Sequence, residues 1–258
     1  MASPTHRGPA PWDAPTQERA SATLLHGAAQ LGVALSASQQ AALLAYLGLL
    51  HKWSKVYNLT AVRDPMDMVT LHLLDSLAVV PALVRQLQNT RPSASTPPWP
   101  TPAAPAEGAS ATQSAVQLLD VGAGAGLPGV VIAIACPQVQ VTCVDAVAKK
   151  AAFVQQAAAS LGLGNLRGLH QRVEHIKTPH DVVCSRAFAS LADFVQGSAA
   201  ALAPGGVWLA LKGKTPDDEV TQLGKGAQVF HVEQLQVPGL DAQRCLVWMR
   251  PSPPTPTA

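Results

Sequence analysis

Ten consecutive residues carry the densest chemical signal in the chain: Asp120-Val-Gly-Ala-Gly-Ala-Gly-Leu-Pro-Gly129. Glycines at every second position accept positive φ and, lacking Cβ, let a ligand approach the backbone. Gly124-Ala-Gly126-Leu-Pro-Gly129 matches the Gly-x-Gly-x-x-Gly fingerprint of dinucleotide folds, and Asp145 follows about twenty residues on, where that fingerprint places a ribose-binding acid. Two cofactor classes fit such a loop. Asp120 stands directly before the first glycine, where its carboxylate would repel a pyrophosphate at the following helix N-terminus. S-adenosylmethionine has no phosphate, and its sulfonium, ammonium and ribose diol suit acidic acceptors. The pattern therefore favours a methyl donor, with a nicotinamide-dependent oxidoreductase as the rival and a ligand-free glycine turn as the structural alternative.

These residues need a strand before the glycines and a helix after them. Val116, Leu118, Leu119 and Val121 supply a β-type apolar run, and Leu127 opens an apolar segment in which Pro128 suits a first helical turn. The amides of Leu127 to Val130 are expected to face the ligand. Val139 to Val144 is the next strand, ending at Asp145, so a right-handed βαβ unit brings Asp120 and Asp145 to one sheet edge. Ala148 to Leu161 reads as a helix, with strands at Leu166 to His170 and Asp181 to Ser185. Ser190 caps a helix towards Leu202, and Pro204-Gly205-Gly206 turns into a strand over Val207 to Leu211. Gln228 to Val237 and Cys245 to Arg250 form a closing antiparallel hairpin. The expected class is α/β: a doubly wound, seven-stranded, Rossmann-like sheet binding ligands at the carboxyl ends of its strands.

Upstream the periodicity is helical. Residues 1–17 carry four prolines and no apolar period and are expected to be disordered. Residues 18–88 form a helical region: Leu24, Leu25, Ala28 and Leu31 make one stripe, and Ser36 caps a helix through Leu43, Leu47, Leu50 and Trp53. A turn-rich stretch from Trp53 to Pro65 precedes a helix over Met66 to Val84. On that last helix His72 and Asp75 stand three apart, a base with its orienting acid or a surface hydrogen bond. The pattern breaks from Arg85. Residues 89–115 are a Pro/Ala-rich flexible insertion with little to bury, 116–250 the cofactor-binding domain, and 251–258 a disordered tail.

The chain has 258 residues, 48% hydrophobic and 13% charged, with a formal net charge of +2. Its longest uninterrupted apolar runs are too short for a bilayer span and the N-terminus has no signal core, so a cytoplasmic location without membrane association is expected. Cys136, Cys143, Cys184 and Cys245 show no Cys-x-x-Cys spacing and read as core residues, with no metal site. From Asp145 to Arg186 six Lys and Arg stand against three acids, a modest basic field for a polyanion.

Several stretches together are distinctive: His51-Lys-Trp-Ser-Lys-Val-Tyr-Asn-Leu-Thr-Ala-Val-Arg-Asp-Pro65, His72-Leu-Leu-Asp-Ser76, the glycine loop, Ser185-Arg-Ala-Phe-Ala-Ser190 and Leu211-Lys-Gly-Lys214. From about Leu24 to Arg250 the chain resembles the bacterial 16S ribosomal RNA guanine-N7 methyltransferase G family, also called glucose-inhibited division protein B. The resemblance implies an S-adenosylmethionine-dependent methyltransferase acting on N7 of a guanine in the decoding-region loop of 16S rRNA, free or in the small ribosomal subunit. It implies cofactor contacts from Gly122, Leu127, Val173, Glu174 and Arg186, and Asp145 matches the ribose-binding acid. With Asp120 and Gly124 these complete the expected cofactor site. Lys149, Lys150, Arg172 and Lys212 are the expected RNA contacts, because O6 and N7 of guanine and the phosphates attract cations. Asn58 and Arg186 are positioning candidates, and His72 and Asp75 shape the base pocket or pack the helical region on the sheet. N7 bears a free lone pair and no proton, so no general base is needed. A monomer is expected; the second rival is a non-catalytic RNA-binding protein on the same fold.

Overall fold

The computed structural model describes residues 12–90, 115–186, 188, 190–224 and 226–253. The expected disorder of the first eleven residues and of the last five, and nearly all of the Pro/Ala-rich insertion, lie outside them. The helical region comprises α1 (Ala14–Gln30), α2 (Ala37–Tyr57), α3 (Pro65–Met68), a π-helical turn (Val69–Leu74), α4 (Asp75–Leu77) and α5 (Val80–Thr90). Then follow β1 (Val116–Val121), α6 (Gly129–Ala135), β2 (Val139–Asp145), α7 (Ala148–Leu161), β3 (Leu166–His170), β4 (His180–Ser185), α8 (Leu191–Ser198), β5 (Leu202–Lys212), α9 (Asp217–Thr221), β6 (Ala227–Leu235) and β7 (Arg244–Pro251).

Seven strands form one sheet in the order β3-β2-β1-β4-β5-β7-β6. β1 pairs in parallel with β2 and β4, and β7 alone runs antiparallel, between β5 and β6. A dinucleotide fold continues its parallel order 3-2-1-4-5-6 without a reversed strand. The reversed β7 wedged beside β5 is the topological mark of this sheet.

Five expected boundaries move, one of them that of the tail, since β7 runs on to Pro251. α1 begins at Ala14, because Asp13 accepts from the Thr16 amide at 3.0 Å and Pro15 suits the first turn. α2 does not stop at Trp53 but runs to Tyr57, its end marked by Asn58 in the left-handed region at φ 51°. The chain stays helical past Arg85 to Thr90. β5 reaches back across Pro204-Gly205-Gly206 to Leu202, which pairs with His180 of β4. Ser36 and Ser190 cap α2 and α8 as expected, accepting from the amides of Gln39 and Asp193.

The helical region is not a separate body. One apolar cluster joins Leu24, Leu47 and Leu77 to Val130, Phe153, Leu209 and Trp248, covering one sheet face; a second joins Leu119, Val183, Phe194 and Trp208 on the other. Gln39 stitches the layers: its side chain accepts from Ser36 N at 2.9 Å and donates to Ile134 O and Ala135 O at 3.1 Å, satisfying carbonyls left open at the end of α6. Residues 65–89 are long and apolar enough to cross a bilayer by composition, yet 72% of that window is buried in this core. All four cysteines are buried and free.

Candidate functional site

The site is built on the carboxyl ends of β1, β2 and β4. Gly122 and Gly124 adopt φ of 65° and 59°, and a Cβ at Gly122 would meet nothing within 4 Å, so the loop's backbone is open to a ligand. Asp145 closes one side. Its Oδ2 accepts from Gly124 N at 2.9 Å and its Oδ1 from Val147 N at 2.8 Å, which fixes the carboxylate while leaving lone pairs on both oxygens. Val173 and the exposed Glu174 lie on a 3-10 turn after β3, adjoining Asp145 through the Gln171 N to Asp145 O bond of 3.2 Å.

Asp120 does something the sequence did not foretell. It is fully buried, and its Oδ2 accepts from Gly129 N at 2.8 Å, so it caps α6 from inside the protein. Its Oδ1 is buried with no partner among the described residues. Burial pushes this carboxyl up to about 7, against the Gly129 amide, which pulls it down. The expected array of ligand-facing amides is therefore absent: Leu127 N bonds Ala123 O, Pro128 has no N–H, Gly129 N bonds Asp120, and Val130 N bonds Gly126 O. The Leu127 side chain is in the core. A helix N-terminus closed by a carboxylate is no seat for a phosphate.

His72 and Asp75 do not pair. They sit on and just after the π turn, both buried, with separate partners. His72 Nε2 lies 2.9 Å from Thr60 Oγ1, and burial, with the Arg186 charge second, lowers its pKa to about 4. A histidine neutral far below pH 7 is a poor proton acceptor. Asp75 is shared by two arginines: Oδ2 accepts from Arg186 Nη1 at 3.2 Å and Oδ1 from Arg244 Nε at 2.8 Å. Arg186, at the end of β4, also donates to Leu71 O at 3.3 Å. Asn58 accepts from Arg63 Nη2 at 2.7 Å, which ties the α2 exit to the loop that follows it.

Of the four cations expected at RNA, Lys149 alone forms no ion pair among the described residues. Lys150 Nζ lies 3.8 Å from Asp145 Oδ2, and Arg172 pairs with Glu174 at 3.6 Å on the surface. Lys212 is no free surface cation; it donates to both oxygens of Glu219, at 3.0 and 2.7 Å, and braces β5 against α9. Two site residues escaped the sequence. Tyr46 donates from its hydroxyl to Ala125 O of the glycine loop at 2.7 Å; a buried tyrosine needs such a partner, which was the available signal. Arg244 gives no local signal, since its carboxylate lies 169 positions away.

A seven-stranded sheet with β7 reversed, a glycine loop after β1 and a fixed acid after β2 define a Rossmann-like methyltransferase. The family model GidB, rRNA small subunit methyltransferase G, matches residues 39–90 and 106–247, and the chain belongs to that family. It is 56% identical to the ribosomal RNA small subunit methyltransferase G of Polaromonas naphthalenivorans (strain CJ2), over 92% of this chain and 99% of that protein. With the protein of the same name from Polaromonas sp. (strain JS666 / ATCC BAA-500) it shares 59% identity, over 87% of this chain and 90% of the relative.

Proposed function

We propose that the chain transfers a methyl group from S-adenosylmethionine to N7 of a guanine in the decoding-region loop of 16S rRNA, acting as a cytoplasmic monomer on the small ribosomal subunit or its RNA. The observation that carries this reading is the open glycine backbone at Gly122 and Gly124 beside the fixed Asp145, next to a helix whose phosphate seat Asp120 occupies. The residues fit the cofactor: a cradle without side chains, a carboxylate with lone pairs to spare for a ribose diol, and negative charge suited to a cation. The nicotinamide rival needs the helix N-terminus that Asp120 closes and an order of strands that β7 interrupts.

The cofactor supplies an electrophilic methyl on a sulfonium. Gly122, Gly124 and Asp145 would hold its methionine and ribose parts, with Val173 and Glu174 towards the adenine. Arg186 uses Nη1 on Asp75 and Leu71, and the remaining N–H groups of its guanidinium are available to guanine O6 or a phosphate. Asp75 holds Arg186 in place and is itself held by Arg244, while Thr60 holds His72. Since N7 carries no proton, the chain's work is alignment and exclusion of water, and a neutral His72 suits that division of labour.

The test is methyl transfer from labelled S-adenosylmethionine to small ribosomal subunits from a strain lacking the modification, followed by cleavage at N7-methylguanine. Label at one guanine of the decoding-region loop is expected, lost in Gly124→Val, whose side chain enters the cradle. Cofactor binding with no label on subunits or free 16S rRNA sinks the ribosomal assignment and favours the non-catalytic alternative.

A further inference from the structure

Three aromatic rings run from the core to the surface beside the glycine loop. Phe153 of α7 is fully buried; Trp53 lies 5.5 Å from it, and Tyr57, one turn further along α2, lies 5.2 Å from Trp53. Tyr57 ends the series with 41% of its surface exposed, and its neighbour Val56 is 72% exposed. The inner end is tied to the cofactor loop, because Tyr46 contacts Phe153 at 6.1 Å and donates its hydroxyl to Ala125 O. Tyr57 lies eleven positions after Tyr46 on α2, about 16 Å along the helix axis.

The charge on the last turns of α2 is of one sign. Lys52 and Lys55 are exposed on the last turns of α2, and neither pairs with a described carboxylate. Lys149, also exposed, stands one turn before Phe153 on the same side of α7. No acid occurs between Glu18 and Asp64, and Asp64 is committed to capping α3, accepting from Met66 N at 2.8 Å and Asp67 N at 3.3 Å. An exposed aromatic face at the end of a pre-stacked series, on a helix end that also carries two lysines without a described carboxylate partner, has the chemistry of a single-stranded nucleic-acid platform: bases stack on aromatic rings and cations follow the backbone.

We infer that the C-terminal end of α2 is an RNA-docking surface on which Tyr57 stacks a nucleobase flanking the target guanine, while Lys52, Lys55 and Lys149 hold its phosphates. This rests on the reading of the protein as an RNA methyltransferase and adds the surface that grips the substrate outside the methyl-transfer pocket. The three rings set Tyr57 rigidly, so little ordering is lost when a base joins them.

The experiment compares wild type, Tyr57→Ala, Tyr57→Phe and the double variant Lys52→Ala/Lys55→Ala. It measures affinity for unmodified small ribosomal subunits, the kinetics of methyl transfer to them, affinity for S-adenosylmethionine, and mass by sedimentation. Tyr57→Ala is expected to weaken subunit binding and raise the subunit KM about tenfold, with kcat and cofactor affinity unchanged, and Tyr57→Phe to restore binding. The lysine variant is expected to bind less tightly and with a shallower salt dependence. Equal subunit binding by wild type and Tyr57→Ala overturns the surface and leaves the methyltransferase reading intact. Loss of cofactor affinity in Tyr57→Ala, or a change of mass marking a subunit interface, overturns it too. A wild-type protein that binds subunits through Tyr57 but transfers no methyl group sustains the surface and overturns the reading of the activity.

Discussion

Asp120 sets the behaviour of the residues around it. Folded, it holds its proton up to about pH 7, whereas unfolded it would release it near its ordinary value of 3.8. The folded state therefore binds more protons across that window, and this group's contribution to stability declines as pH rises from about 4 to 7. His72 works in the opposite direction. Its pKa falls from 6.5 to about 4, so the unfolded chain binds the extra proton and stability is lost as pH falls from 6.5 towards 4. Asp120→Asn leaves the His72 contribution unopposed, and its melting temperature should climb with pH over that range more steeply than that of wild type. Equal slopes in thermal scans of the two proteins would contradict the assignment. Gly129 is tied to the same carboxylate. A Cβ there would collide with Cys143 Sγ and stand 2.8 Å from Asp120 Oδ2, so Gly129→Ala should cost about 1–3 kcal/mol in urea unfolding.

At the level of elements, Asp75 fastens the helix following the π turn to the ends of β4 and β7. Its carboxylate is 7% exposed, and its arginine partners are 28% and 27% exposed. Asp75→Ala strands two half-buried guanidinium groups, and a loss of about 3 kcal/mol is expected in urea unfolding, with Asp75→Asn milder because it keeps an acceptor. Equal losses for the two variants would mean that packing, not charge, holds the joint. The sequence offered this joint only as an alternative, with His72 and Asp75 packing the helical region on the sheet, and gave no sign of its arginine partners. The three-residue spacing of His72 and Asp75 suggested a pair, but Thr60, Arg186 and Arg244 claim those groups from elsewhere in the chain. What could be read was local: the glycine loop between strand and helix, Asp145 at the end of β2, the serine caps, and the parallel βαβ step. The end of α2 was misjudged because Lys52, Lys55 and Asn58 look like a loop, while Trp53 and Tyr57 stack one turn apart and keep it helical.

The whole molecule folds around cores that ignore the division read from its composition. Leu24, Leu47 and Leu77 share a cluster with Val130, Phe153 and Trp248, so the helical region buries its apolar face in a core that it shares with α6, α7 and the sheet. Calorimetric unfolding should show one heat-absorption peak with calorimetric and van't Hoff enthalpies in agreement; two separable peaks would mean that the region before Val116 is a domain in its own right. Even the glycine loop is a joint product, since α2 reaches it through Tyr46.

The internal cap on α6 also bears on what the protein meets in a cell. Adenosine is shared there by ATP, the dinucleotides and methyl donors alike. A pocket that recognised the nucleoside alone could not tell them apart. By spending the Gly129 amide on its own Asp120, and by standing Asp145 at the next strand end, the chain withdraws the feature that phosphates seek and puts negative charge in their way. On the proposed reading, selectivity among adenosine ligands would turn on a hydrogen bond no ligand touches.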